Sequence, residues 1–106
     1  MEDLELIAFK IISGVGSARS SYIEAIAAAK AGDFERAEKL IQQGEENFAE
    51  GHHAHQKLMD AESKGQNVAN LLILHAEDQL MSAEAFKTVA REFIDSYRRI
   101  VALESK

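Results

Sequence analysis

Apolar residues recur along this chain at intervals of three and four, the period of a helix face rather than of a strand. The first run holds Leu4, Ile7, Ala8, Ile11, Ile12 and Val15 and resumes through Ala18, Tyr22, Ala25, Ile26 and Ala29. The second holds Phe34, Ala37, Leu40, Ile41, Phe48, Ala54, Leu58 and Met59. Glu35, Arg36, Glu38, Lys39, Glu45 and Glu46 fall between these, as on a solvated face. The third run ends in Phe86, Val89, Phe93, Ile94, Tyr97, Ile100 and Val101, with Lys87, Arg91, Glu92, Asp95 and Arg98 set outside. Two breaks divide the runs, Lys30-Ala31-Gly32-Asp33-Phe34 and Ser63-Lys64-Gly65-Gln66-Asn67. Each offers a glycine suited to a helix C-terminus, then a polar residue suited to an N-cap. The pattern predicts helices over about 3–31, 33–62 and 66–104. No proline interrupts them. Short connections make neighbours antiparallel, so the expected fold is an all-α, up-down-up three-helix bundle, ~45 Å long at ~1.5 Å per residue. Gly14 and Gly16 each cost about 1 kcal/mol against alanine inside the first helix. They mark a close helix approach, a bend, or simply tolerated glycines.

Residues 68–83 do not suit a monomer. At about 100° per residue, Leu71, Leu72, Gln79, Ser82 and Phe86 lie within about 60° of His75, and Asp78 lies about 60° to the other side of it. Leu74 and Met81 lie beyond Asp78, while Ile73 and Leu80 occupy the opposite side with Glu77. The helix is apolar almost all round, and a three-helix bundle buries only one stripe. The surplus calls for a partner, most simply a second copy of the chain. Asp78 would then meet its own copies in an apolar interface, which favours a bound cation or a shared proton.

Composition narrows the chemistry. The 106 residues suit one domain, 1–106. No cysteine is present, which excludes a disulfide, a zinc–thiolate site, an iron–sulfur cluster and a cysteine nucleophile. A net charge of −6 argues against nucleic acid or an anionic membrane as partner. No apolar stretch is long enough to span a bilayer, and the acidic start lacks the basic region of a signal peptide. The expectation is a cytoplasmic protein with no membrane insertion and little room for a deep pocket.

His75 is the sharpest candidate. It reads either as a nucleophilic imidazole or as a core histidine satisfied by Asp78 or Gln79. His52, His53 and His55 cluster in the second helix, and His52 and His55 are spaced to help bind a metal. Glu50 and His53 form a Glu-x-x-His pair, but a di-iron bundle needs a second such pair, which is absent. Gly14-Val15-Gly16-Ser17 lacks the lysine of a phosphate loop and follows no strand. No strand-turn-helix elbow presents a serine for hydrolase chemistry.

The stretch Leu74-His75-Ala76-Glu77-Asp78-Gln79-Leu80-Met81 resembles the active-site signature of lactose/cellobiose-type enzyme IIA components, usually His-Ala/Gly-Gln-Asp-His-Leu-Met. These belong to the bacterial phosphoenolpyruvate-dependent sugar phosphotransferase system. Gly16-Ser17-Ala18-Arg19-Ser20 resembles the family's Gly-Asp-Ala-Arg-Ser. Ala28-Ala29-Lys30-Ala31-Gly32-Asp33-Phe34 resembles its first helix junction, and Ala49-Glu50-Gly51-His52 its Ala-Glu-Ala-His. The four motifs, in order, span nearly the whole chain.

The resemblance implies a homotrimer of three-helix subunits. One histidine, matching His75, takes a phosphoryl group from the phosphocarrier HPr and passes it to a cysteine of enzyme IIB. The family's axial aspartate matches Asp78, implying a divalent cation, Mg2+ first among candidates, shared by three copies. Two positions depart from the pattern: Gln79 stands for the family's second histidine and Glu77 for its glutamine. A glutamine is also frequent in the family where His55 falls. Gln79 can hydrogen-bond a phosphate but cannot carry positive charge. Gln79, Ser82, His52 and His55 are the candidate phosphate neighbours. Leu71, Leu72, Met81 and Phe86 are the candidate docking surface. Such a relay would serve uptake and phosphorylation of a β-linked disaccharide or β-glucoside. The alternative is a non-catalytic helical oligomer with a structural metal at Asp78.

Overall fold

The computed structural model describes residues 3–106. Three helices follow one another: α1 (Leu4–Lys30), α2 (Phe34–Ser63) and α3 (Leu71–Glu104). The described residues contain no strand, so the all-α, up-down-up expectation holds.

The first break is as predicted. Lys30 ends α1, and Gly32 follows at φ 86°. The Gly32 amide donates to Ala29 O and the Asp33 amide to Ala28 O, both at 2.9 Å. This paired closure needs a left-handed residue, which glycine supplies without a Cβ penalty. Asp33 then caps α2, its carboxylate accepting from the Arg36 amide at 3.1 Å. Gly65 repeats the closure at φ 88°, with the Gly65 amide on Glu62 O and the Gln66 amide on Ala61 O.

The second junction differs from the prediction. α3 starts at Leu71, not near 66, because Asn70 rather than Asn67 is its N-cap. The Asn70 carboxamide accepts from the Ile73 amide at 2.9 Å, whereas Asn67 accepts only from the nearby Ala69 amide. Between them Val68 is buried at the end of the core. The non-helical stretch 66–70 carries it there.

α1 is the central element and packs along both neighbours. Its contact with α2 is tight because glycines stand where the helices cross. A Cβ on Gly14 would lie 2.8 Å from the Gly51 backbone nitrogen. One on Gly51 would lie 2.6 Å from Val15 Cγ1, and one on Gly44 would overlap the Tyr22 ring. Gly14 is thus a close-approach glycine, while nothing lies within 4 Å of a Cβ on Gly16. Alanines continue the tight fit: Ala8, Ala18, Ala25 and Ala29 are fully buried.

α3 lies in the groove of this pair through Ile73, Ala76, Leu80, Ala83, Ala90 and Ile94. Its rim toward α2 is polar: Glu45 holds Arg91 at 2.6 Å and Lys87 at 3.3 Å, and Glu38 holds Arg98 at 3.4 Å. Arg98 also lies over the Phe34 ring, 4.8 Å from its centroid. The Arg19–Phe86 contact sets α1 and α3 in parallel register, so the end of α3 overhangs α1. The molecule therefore measures 61 × 18 × 16 Å, longer than expected, and Ile100 and Leu103 remain exposed.

The α3 boundary is testable. Asn70→Ala is expected to lower stability by about 1 kcal/mol, and Asn67→Ala by clearly less, in urea melts followed by circular dichroism. A larger loss at Asn67 would restore the earlier start.

Tyr22 offers a second test. Its ring fills the Gly44 notch, and its hydroxyl is buried with no protein partner. Burial, helped by the Glu45 charge, pushes the phenol up to about 12. A folded value above the unfolded one of about 10 gives stability that is whole below pH 10 and lost as pH rises toward 12. Tyr22→Phe removes the orphan hydroxyl, so it should leave stability unchanged or raise it by about 1 kcal/mol at neutral pH. It should also flatten the alkaline loss. Equal alkaline slopes in the two proteins would refute this.

Candidate functional site

The site is built on the first half of α3, where four sides of one helix have four environments. The inner side, Ile73, Ala76, Leu80 and Ala83, is buried against α1 and α2. The outer side lies about 200° round from Ala76 and carries Leu74, Asp78 and Met81. Leu74 and Met81 are 57% and 65% exposed. The outer stripe continues through Ala85, Val89, Phe93, Ser96, Ile100 and Leu103, at steps of three and four residues, all exposed. The apolar face read from the sequence over 86–101 is therefore two faces. Ile94 belongs to the core, with Phe86 and Tyr97 packed against it, whereas Val89, Phe93 and Ile100 point outward.

The two flanks carry the chemistry. His75 is exposed on the flank toward α1. Helix geometry puts Gln79, Ser82 and Phe86 on that same flank, within about 40° of His75. All three are half-buried. The Arg19 guanidinium of α1 lies over the Phe86 ring, 5.0 Å from the centroid. Arg19 Nε is buried without a partner, and no carboxylate pairs with Arg19 among the described residues. Arg19 has no role legible from its own stretch of sequence; its position gains meaning only where α1 lies beside α3.

The opposite flank faces α2. There His55 Nε2 meets Glu77 Oε1 at 2.5 Å. The structure thus brings Gln79 and Ser82 to the side of His75 but does not bring His55 there. His55 is engaged by Glu77, about 200° round the helix from His75. His52 is exposed, its ring stacked on Phe48 with centroids 6.3 Å apart, and His53 is exposed beside it. The expected docking group also divides. Leu72 packs against the core and Phe86 lies beneath Arg19, while Met81 belongs to the outer stripe. Leu71 and Met81 are both open, at 83% and 65% exposure, and of these two only Leu71 is on the side of His75.

Asp78 is exposed and makes no hydrogen bond or ion pair among the described residues. Within one subunit no three His, Asp or Glu side chains among the described residues converge as a metal ion would need. His75 lines none of four surface grooves, one of them of about 600 Å³ bordered by Leu4, Ile7, Ala61 and Gln66. No described helix is long and apolar enough to cross a membrane.

Known proteins resemble this chain in sequence and fold. The family model of the lactose/cellobiose-specific IIA subunit of the phosphotransferase system matches residues 6–98. A lichenan-specific phosphotransferase enzyme IIA component from Bacillus subtilis is 43% identical over 100 residues, covering 93% of this chain and 91% of that protein. A lactose-specific EIIA component of Staphylococcus aureus is 35% identical over 99 residues, covering 92% and 96%. Among solved structures, the cellobiose-specific enzyme IIA of Bacillus anthracis superposes with a TM-score of 0.91 at 36% identity, covering 96% of this chain and 94% of that one. The chitobiose IIA protein of Escherichia coli, solved in complex with HPr, superposes at 0.81 with 28% identity, covering 94% and 98%. With the family model matched over residues 6–98 and a relative 43% identical along nearly its whole length, this chain belongs to the lactose/cellobiose-specific IIA subunit family of the phosphotransferase system.

Proposed function

We propose that this protein is a cytoplasmic phosphoryl carrier. It takes a phosphoryl group from phospho-HPr on His75 and gives it to a cysteine of an enzyme IIB component, in uptake of a β-linked disaccharide or β-glucoside. The observation that carries the reading is the placement of His75: exposed, on a long helix, with hydrogen-bonding side chains on its own flank. A carrier that meets protein donors and acceptors needs an open imidazole rather than a pocket. An imidazole nitrogen lone pair attacks phosphorus in line, the donor's N–P bond breaks and a new N–P bond forms on His75. The thiolate of IIB later displaces His75 in the same way, forming an S–P bond. Gln79 and Ser82 would hydrogen-bond the phosphoryl oxygens, and His52 could reach them only from a neighbouring copy. Such transfers ask the protein mainly for positioning and electrostatic support. A net charge of −6 suits a basic donor surface. Phosphotransfer displaces the alternative of a non-catalytic oligomer.

The assembly we propose is a homotrimer with three copies of α3 about the axis. Its support is the outer stripe, which runs the length of α3 at steps of three and four residues and is apolar except at Asp78 and Ser96. Leu6 and Phe9, exposed near the start of α1, add a small second apolar patch. In that arrangement three Asp78 carboxylates converge among Leu74 and Met81. Their donor chemistry, hard oxygen atoms bearing negative charge, fits a divalent cation such as Mg2+. The ion would neutralise the three carboxylates and has no part in the transfer.

Incubation with phosphoenolpyruvate, enzyme I and HPr should add one phosphoryl group per chain by mass spectrometry. His75→Ala should abolish it. An unlabelled wild type sinks the relay. For the axis, Asp78→Leu should eliminate bound divalent metal while keeping a trimer by light scattering, because leucine removes repulsion and adds apolar contact. A wild-type trimer with no divalent ion at one per three chains would refute the metal.

A further inference from the structure

We infer that His55 and Glu77 are positioning residues for His75, a role that rests on the relay reading above. The starting observation is how α3 is tied to α2. Of the described ties, Glu38–Arg98 and Glu45–Arg91 lie in the second half of α3 and Glu45–Lys87 at its midpoint. In the turns before Lys87, which carry His75, the described polar tie to α2 is the 2.5 Å contact of His55 Nε2 with Glu77 Oε1. It is also the most sheltered of these pairs, with the two side chains 16% and 35% exposed.

Beneath it the packing is smooth. Ala76 and Ala83 face the groove, with Ile73 and Leu80 beside them, and the other described polar contacts of this helix, Arg19 over Phe86 and Glu45 with Lys87 and Arg91, lie about three turns or more beyond His75. The helix start does not fix the roll of the helix: the Asn70 cap holds the first turn to itself, not to a neighbour. His75 and Glu77 stand on opposite flanks, about 200° apart. Any roll that lengthens the Glu77 contact therefore swings His75 in the opposite sense. At a helix radius of roughly 5–6 Å, a roll of about 10° moves the imidazole by about 1 Å. A displacement of that size is enough to slow an in-line transfer by up to about 100-fold. The carboxylate–imidazole bond is short and directional, which suits it to holding such an angle.

The role differs from support of the fold. α1 and α2 are held together by their glycine crossing, and α3 by its buried stripe, without this pair. Loss of the bond should thus change the orientation of His75 more than the stability of the bundle.

The experiment measures phosphoryl transfer from phospho-HPr to the full-length protein under rapid quench, with donor concentration varied. Glu77→Ala and His55→Ala are each expected to lower the saturating rate by 10- to 100-fold, with the donor concentration at half-maximum within twofold of wild type. The double variant should be no slower than either single one, because the two residues act through one bond. His55→Gln with Glu77→Gln, which can re-form a neutral hydrogen bond, should recover most of the rate. Glu77→Met keeps the length of the side chain without an acceptor, and it serves where the alanine variants lose helicity. Single variants that transfer at the wild-type rate overturn the inference while the relay stands. So does a rate that falls only in step with the melting temperature, or a double variant whose losses multiply. A wild-type protein that takes no label overturns both.

Discussion

Helix α3 is apolar on two opposite sides, and a bundle of three helices can cover only one of them. The inner stripe is filled because α1 and α2 come close enough to form a groove. That closeness rests on Gly14 and Gly51 at one crossing and on Gly44 beneath Tyr22 at the next. Ala76, Ala83 and Ala90 then let α3 settle low between them. With one stripe buried and the other open, the two remaining flanks of α3 become distinct places. One faces α1 and carries His75, Gln79 and Ser82; the other faces α2 and carries Glu77. The division of chemistry among the sides of a single helix follows from this packing and from the 100° step between residues.

The first two helices were legible in the chain because their ends are written in local chemistry. Gly32 and Gly65 are needed where the backbone turns left-handed, and Asp33 can cap at once. The start of α3 was not, because Asn67 and Asn70 are equally good caps on paper. The choice between them is made by Val68, whose burial depends on the ends of α1 and α2. The C-terminal half of α3 misled for a related reason. Periodicity reports that a face is apolar, not what covers it, so an inner and an outer stripe were read as one. His75 and Asp78 stood out as polar groups within an apolar ring. Their neighbours did not: His55 and Glu77 are 22 residues apart, and Arg19 meets Phe86 only through the α1–α3 register. Such contacts carry no local signature.

The openness of His75 bears on how a carrier must hold its cargo. A site that gripped the phosphoryl group with a paired arginine would favour the loaded state and slow its release. Binding energy spent equally on ground and transition states gives no rate. On the proposed reading this chain surrounds His75 with neutral donors, Gln79 and Ser82, where the family pattern has a second imidazole at the Gln79 position. The described cation on the same flank, Arg19, is kept by Phe86, about three turns along α3 from His75. Charge stabilisation of the transferring group then has to come from the protein partner at the moment of docking. The share left to this chain is to aim the imidazole, and a helix seated in a tight groove and tied to α2 through Glu77 and His55 can do that in 106 residues.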